Sequence, residues 1–168
     1  MKKLLAFICF VLVAACSHAQ QDPKILKLPM PHYRICKADS SFVTEAAIKK
    51  DKPVMFIYFA PDCPHCQHMM KDMTEKMDAF KHIQIVMICA TRTVYPYLGM
   101  LKNFSRDYDL PKYKNITMGS EYPRLDIATY FHVMTTPFVA IYNKEGHMTQ
   151  YFDKPPKIED VVAAVKKV

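Results

Sequence analysis

Val54-Met55-Phe56-Ile57-Tyr58-Phe59-Ala60-Pro61-Asp62-Cys63-Pro64-His65-Cys66 is the stretch that decides the fold. Its first six residues form an unbroken apolar run of strand length, the pattern of a central strand covered on both faces. From Cys66 onward, Met69, Met70, Met73, Met77 and Phe80 recur at offsets 3, 4, 7, 11 and 14. That is one stripe of an amphipathic helix, opened by Pro64 in its favoured first-turn position. A second apolar run, Ile83 to Ala90, follows. Strand, helix and strand in that order imply a crossover unit with a parallel pair.

Working outward, Tyr33 to Cys36 reads as a short strand and Ser41 to Lys50 as a small helix broken by Asp51-Lys52-Pro53. Beyond the unit, Tyr95 to Tyr108 reads as a helix, Asn115 to Met118 as an extended piece, and Arg124 to His132 as a helix ending before Thr135-Thr136-Pro137. Phe138 to Tyr142 and Met148 to Phe152 form a hairpin around Gly146, and Ile158, Val161, Val162 and Val165 mark a terminal helix. The class is α/β, a central mixed sheet flanked by helices.

Composition narrows the chemistry. The 168 residues fit one domain and a short appendage. Only three glycines occur, at 99, 119 and 146, so no dinucleotide fingerprint, P-loop or G-x-S-x-G elbow can be written. The seven histidines contain no His-x-x-x-His zinc-protease spacing. Lys2 and Lys3 precede a twelve-residue apolar run, Leu4 to Ala15, too short to span a membrane and matching a secretory signal. Two processing sites compete: cleavage after Ala19, or a lipoprotein signal ending at 15 with Cys16 acylated and so attaching the chain to a membrane. The expected organisation is residues 1–19 as signal, 20–39 as linker with a short strand, and 40–168 as the domain. Removing 1–19 deletes two lysines and no acid, taking the formal charge from +7 to +5. That surplus is spread along the chain, so no nucleic-acid partner is expected, though anionic envelope surfaces would attract it weakly.

Export makes disulfide chemistry available. Of six cysteines, Cys9 and Cys16 belong to the export segment; Cys36, Cys63, Cys66 and Cys89 remain. C-x-x-C at a helix start places the first sulfur at the exposed end, where the free N–H groups and dipole stabilise a thiolate, and the second one turn inside. Cys63 is the expected attacking thiol and Cys66 the resolving one. Pro64 and His65 between them tune the pair, and Asp62 opposes with a negative charge. A structural disulfide or half a zinc site is the bland alternative, and no second C-x-x-C supports it. A copper metallochaperone using the same thiols with His65, His68 or Met69 is the rival function, although helical spacing first puts the methionines in the core. Cys36 and Cys89 are left unassigned, their pairing open. His82 and His132 follow helix ends and suit terminal carbonyls, and Tyr95, Tyr97, Tyr108 and Tyr113 are candidates for lining a substrate side.

Through Lys52-Pro53-Val54 to Cys66 and Thr135-Thr136-Pro137-Phe138 to Gly146, the chain resembles thioredoxin-fold thiol-disulfide oxidoreductases of the bacterial envelope, nearest the TlpA/ResA-like group. The likeness covers roughly Ser40 to Val168. It implies that Pro137 is cis beside the dithiol and that Thr136 presents its backbone to an extended substrate. The implied partners are exported proteins carrying thiols or disulfides and an upstream envelope redox partner. No cofactor or metal is implied beyond the redox-active Cys63–Cys66 disulfide itself, and the place of work is the periplasm or envelope. Three departures stand out: Ile57 occupies the place of the buried acid of thioredoxins, Asp62 replaces the usual tryptophan, and Pro64-His65 is the dipeptide of DsbA-type oxidases. The motif therefore points to oxidase and the long connection from Ala90 to Arg124 to reductase.

Overall fold

The computed structural model describes residues 21–89, 95–121 and 123–168. The export segment with Cys9 and Cys16 lies outside them, as do the side chains of Tyr95 and Tyr97. Among the described residues seven strands form one mixed sheet: β1 (Arg34–Cys36), β2 (Phe42–Thr44), β3 (Val54–Phe59), β4 (Gln84–Cys89), β5 (Ile116–Ser120), β6 (Phe138–Tyr142) and β7 (Met148–Phe152). Their spatial order is β2-β1-β5-β4-β3-β6-β7. β3 pairs parallel with β4 and antiparallel with β6, so the expected central strand is central. All six of its side chains are buried.

Among the described residues five helices accompany the sheet: α1 (Pro23–Leu26), α2 (Pro64–Glu75), α3 (Tyr95–Asp107), α4 (Asp126–Tyr130) and α5 (Ile158–Val165). The alternation along β3 divides the core in two. Met55, Ile57 and Phe59 join Met69, Met70 and Met73 of α2, Leu101 and Phe104 of α3, and Val161 and Val165 of α5. Val54, Phe56 and Tyr58 face the other way, toward Ile127 of α4, Phe131, and residues of the N-terminal stretch such as Ile25, Leu28 and Tyr33. That stretch is tied down as well as packed, since the hydroxyls of Tyr130 and Tyr142 both donate to the Pro29 carbonyl.

Three expectations need correction. Ser41 to Lys50 is not a helix. It holds strand β2 and a 3-10 turn over Glu45–Ala47, because the Asp39 carboxylate accepts from both the backbone N–H and the hydroxyl of Ser41, folding Phe42–Thr44 back onto β1. Thr44 then caps the 3-10 turn through Ala46 N–H. The Arg124 to His132 helix is confined to Asp126–Tyr130, and the methionine stripe of α2 continues past a break at Lys76 into a 3-10 turn that buries Met77 and Phe80.

Gly119 of β5 shows why a glycine stands there. A Cβ would meet the Cys36 carbonyl oxygen at 2.8 Å and the Ile35 side chain at 3.0 Å, so the close approach of β1 requires its absence. Gly146, with φ +79°, makes the β6–β7 turn in the left-handed region that glycine adopts without strain.

Candidate redox site

β3 ends at Phe59, and Ala60 to Asp62 carry the chain to Cys63, which caps α2 with extended backbone (φ −79°, ψ 119°). Its sulfur stands at the open first turn of α2, whose N–H groups have no partner within the helix. One turn inside, Cys66 is 2% exposed, while Cys63 is half-buried. Cys63 and Cys66 approach to 3.4 Å, and both are free thiols.

Burial alone would raise the Cys63 thiol. Hydrogen bonds to its sulfur from the Thr136 hydroxyl, the Cys66 N–H and thiol, and the His65 N–H outweigh it and hold the group below the ordinary cysteine value. Cys66 goes the other way: burial dominates and pushes it up to about 12. One sulfur is primed as a thiolate while its neighbour keeps its proton. The asymmetry comes from position on the helix, since the first-turn N–H groups reach Cys63 and not the side chain packed beneath it.

The Thr136–Pro137 peptide is cis, as the resemblance implied. It lies against the dithiol, for the Cys63 thiol donates to the Thr136 carbonyl across 3.5 Å. Pro137 is buried and Thr136 partly exposed, with Met134 beside them 91% exposed. His65 is exposed, and its backbone N–H is the part that acts on Cys63. The Asp62 carboxylate is felt at Cys89, whose thiol is pushed up first by burial and then by Asp62.

The remaining candidates fall in different places. Met69, Met70, Met73 and Met77 are buried in the core, whereas His68 is exposed beside Asp72, 3.4 Å away. Among the described residues no three His, Cys, Asp or Glu side chains converge as a metal centre would need. Cys36 and Cys89 form no disulfide with each other: both align with Ser120, Cys36 from β1 and Cys89 from β4. Two strand spacings separate them, about 10 Å, beyond the ~7 Å limit for a disulfide. Tyr108 and Tyr113 line an open groove with Pro64, Gln67, His68 and Lys71 alongside α2, where the Tyr108 hydroxyl donates to the Gln67 carbonyl. His82 meets a helix-terminal carbonyl, that of Val165, at 2.8 Å, while His132 closes α4 through its backbone N–H to Thr129.

Glu121, directly after β5, escaped the sequence reading. It is 4% exposed, and its carboxylate accepts from the Tyr58 hydroxyl at 2.6 Å, Ile127 N–H at 2.7 Å and Ala128 N–H at 3.4 Å. It therefore caps α4, the helix leading into Thr136 and Pro137, in place of Leu125, which cannot cap. A helix start without Ser, Thr, Asp or Asn in front of it was the available signal. Burial raises the Glu121 carboxyl more than these three bonds lower it. The buried acid missing at Ile57 is thus present elsewhere, on the other side of the sheet end.

The architecture has solved counterparts. A secreted disulfide oxidoreductase of Mycobacterium tuberculosis, described as homologous to Escherichia coli DsbE, superposes with a TM-score of 0.65 at 17% identity, covering 88% of this chain and all of that one. The thioredoxin domain of a Bacteroides vulgatus thiol-disulfide oxidoreductase gives 0.66 at 15%, covering 84% of this chain and 96% of that one. An exposed lipoprotein thioredoxin of Streptococcus pneumoniae gives 0.60 at 16%, covering 82% and 100%. At such identities these likenesses establish the fold. No curated protein matches in sequence. A family model described as thioredoxin-like domain matches residues 43–165, from β2 through α5 and across both cysteines and the cis-proline. With that match and this sheet order, the chain belongs to the thioredoxin-like domain family.

Proposed function

We propose that this protein is a thiol-disulfide oxidoreductase of the bacterial envelope, of the TlpA/ResA-like kind, acting on exported proteins through Cys63 and Cys66. The observation that carries the reading is the unequal pair of thiols 3.4 Å apart at the start of α2, one lowered and one raised. In the reducing direction, the Cys63 thiolate attacks one sulfur of a substrate disulfide, forming a mixed disulfide and expelling the other as a thiolate. Cys66 then gives up its proton and attacks the Cys63 sulfur, releasing the second substrate thiol and leaving the Cys63–Cys66 disulfide. Two electrons pass to the substrate, and an upstream dithiol of the envelope restores the pair. The oxidising direction is the same sequence reversed. The Thr136 backbone, beside Cys63 and partly exposed, holds an extended substrate segment by strand addition. Residues 1–19, or a lipid on Cys16, account for delivery.

Cys66→Ala tests the reading, because a mixed disulfide on Cys63 then has no internal thiol to resolve it. Exported proteins should accumulate in covalent complex with the variant and separate on adding reductant; absence of such complexes under both oxidising and reducing growth would refute the function. The midpoint potential sets the direction, between about −270 mV for thioredoxin and about −120 mV for DsbA.

A further inference from the structure

The end of the sheet opposite the dithiol gathers exposed lysines from separate parts of the chain. Lys49, Lys50 and Lys52 precede β3, Lys81 precedes β4, Lys114 precedes β5, and Lys166 and Lys167 follow α5; all seven are exposed. Hydrogen bonds gather these separate segments into one place. The Gln84 side chain at the start of β4 bonds the backbone of Lys49 on both sides, donating to its carbonyl at 2.9 Å and accepting from its N–H at 2.6 Å. Asn115, next to Lys114, donates to the carbonyls of Phe80 and Ile83 on either side of Lys81. His82 bonds the Val165 carbonyl, which brings Lys166 and Lys167 alongside.

Several acids lie close to this end: Glu75 ends α2, and Glu159 is ion-paired with Lys76 just after it. Asp78 is ion-paired with Lys81 at 2.5 Å, Asp51 sits among the first three lysines, and Glu145 lies 3.9 Å from Lys144 on the neighbouring hairpin. Glu45 is engaged by His32 at 2.7 Å. Lys49, Lys50, Lys52, Lys166 and Lys167 have no ion-pair partner among the described residues. The six residues of β3 separate this end from the dithiol turn by about 20 Å.

We infer that this lysine-rich end is a docking surface for an anionic phospholipid bilayer, which orients the protein with Cys63 and Cys66 facing away from the lipid. The chemistry favours a bilayer over nucleic acid. Every basic group in the cluster apart from His82 is a lysine, a point charge that needs no fixed geometry, with no arginine among them to fork onto a phosphate. Five of the seven lysines stand before strand starts and two follow α5, so they present charge across one end of the sheet to a broad plane of opposite charge. The inference stands apart from thiol exchange, because lipid binding requires neither cysteine to react.

The test is sedimentation of the full chain with vesicles of phosphatidylcholine alone and with roughly a third replaced by phosphatidylglycerol. The apolar run Leu4 to Ala15 contributes to both, so the difference between the vesicles reads the charge. The anionic vesicles should bind more tightly, with the preference lost at high salt, where the Debye length shrinks to ~3 Å. Each docking lysine contributes about fivefold, so replacing Lys49, Lys114 and Lys166 together by glutamine should weaken binding about a hundredfold. Replacing Lys24, Lys102 and Lys154, elsewhere on the surface, should leave it within a few-fold. Circular dichroism of both triple variants confirms that they fold. Cys63 should keep its alkylation rate on the vesicles. Equal loss in both triple variants, no preference for phosphatidylglycerol, protection of Cys63, or tighter binding to single-stranded RNA than to the anionic vesicles would each overturn the inference.

Discussion

Replacing Cys63 by serine asks whether the inertness of Cys66 comes from burial or from its neighbour. Cys66 is raised from 9.0 to about 12, burial being the largest cause and the Cys63 sulfur a smaller one. In Cys63→Ser the smaller contribution goes and the larger stays. A thiol raised that far holds about a thousandfold less thiolate than an ordinary one at any pH below about 9. A more basic thiolate is also a better nucleophile, and with a Brønsted slope near 0.4 that restores about sixteenfold. The net expectation is that Cys66 in the variant reacts with iodoacetamide more slowly than an ordinary thiol, by up to about sixtyfold when burial carries the whole rise, before any steric exclusion. The assay is alkylation between pH 6 and about 9, with each cysteine followed by peptide mass mapping so that Cys36 and Cys89 are scored separately. If Cys66 in folded Cys63→Ser reacts within a few-fold of a free thiol, burial does not govern it and position on the helix is not the source of the asymmetry.

Three further outcomes follow from the same contacts. Thr136→Val removes a hydroxyl that hydrogen-bonds the Cys63 sulfur, so the Cys63 titration, read by thiolate ultraviolet absorbance, should move to higher pH; an unchanged or lower value would contradict the assigned contact. Gly119→Ala forces a Cβ against the Cys36 backbone oxygen and should cost about 1–3 kcal/mol in urea unfolding, whereas a neutral result would show that β1 shifts freely. Glu121→Ala leaves the Tyr58 hydroxyl and Ile127 N–H without their acceptor and should cost about 1–3 kcal/mol, with Glu121→Gln costing less. Because the folded Glu121 carboxyl is raised, the native state binds the extra proton, so its stability contribution is complete below the unfolded value of 4.5 and is lost as pH rises through the higher folded value. Wild type should therefore lose stability relative to Glu121→Gln on going from pH 4 to about 7 in paired denaturation curves; the opposite slope would show that the three hydrogen bonds outweigh burial.

The residues that set the reaction geometry were legible because their causes are local. An unbroken apolar run, a proline in the first turn and a stripe repeating every three or four residues specify strand, turn and helix within one short segment, and the thiol asymmetry follows from position on that helix. Pro137 came from resemblance, since nothing within a few residues of a proline reveals which cysteine it will lie beside. Ser41 to Lys50 marks the limit of local reading: its helical periodicity is weak, and pairing with β1, made possible by the Asp39–Ser41 turn, outweighs local preference.

Other features exist only because strands distant in sequence become neighbours. Gly119 is required by β1, which lies more than eighty residues earlier; Cys36 and Cys89 are kept apart by β5 between them; Glu121 finds Tyr58 sixty-three residues away; and seven scattered lysines share one end of the sheet. The strand-turn-helix unit with its two thiols is written in the chain itself, because hydrophobic periodicity and helix-start chemistry act over one or two turns. Strand order and register settled the rest: which buried acid caps the helix before the cis-proline, which cysteines cannot meet, and where the charge collects. Those are properties of long-range pairing, which no local pattern encodes.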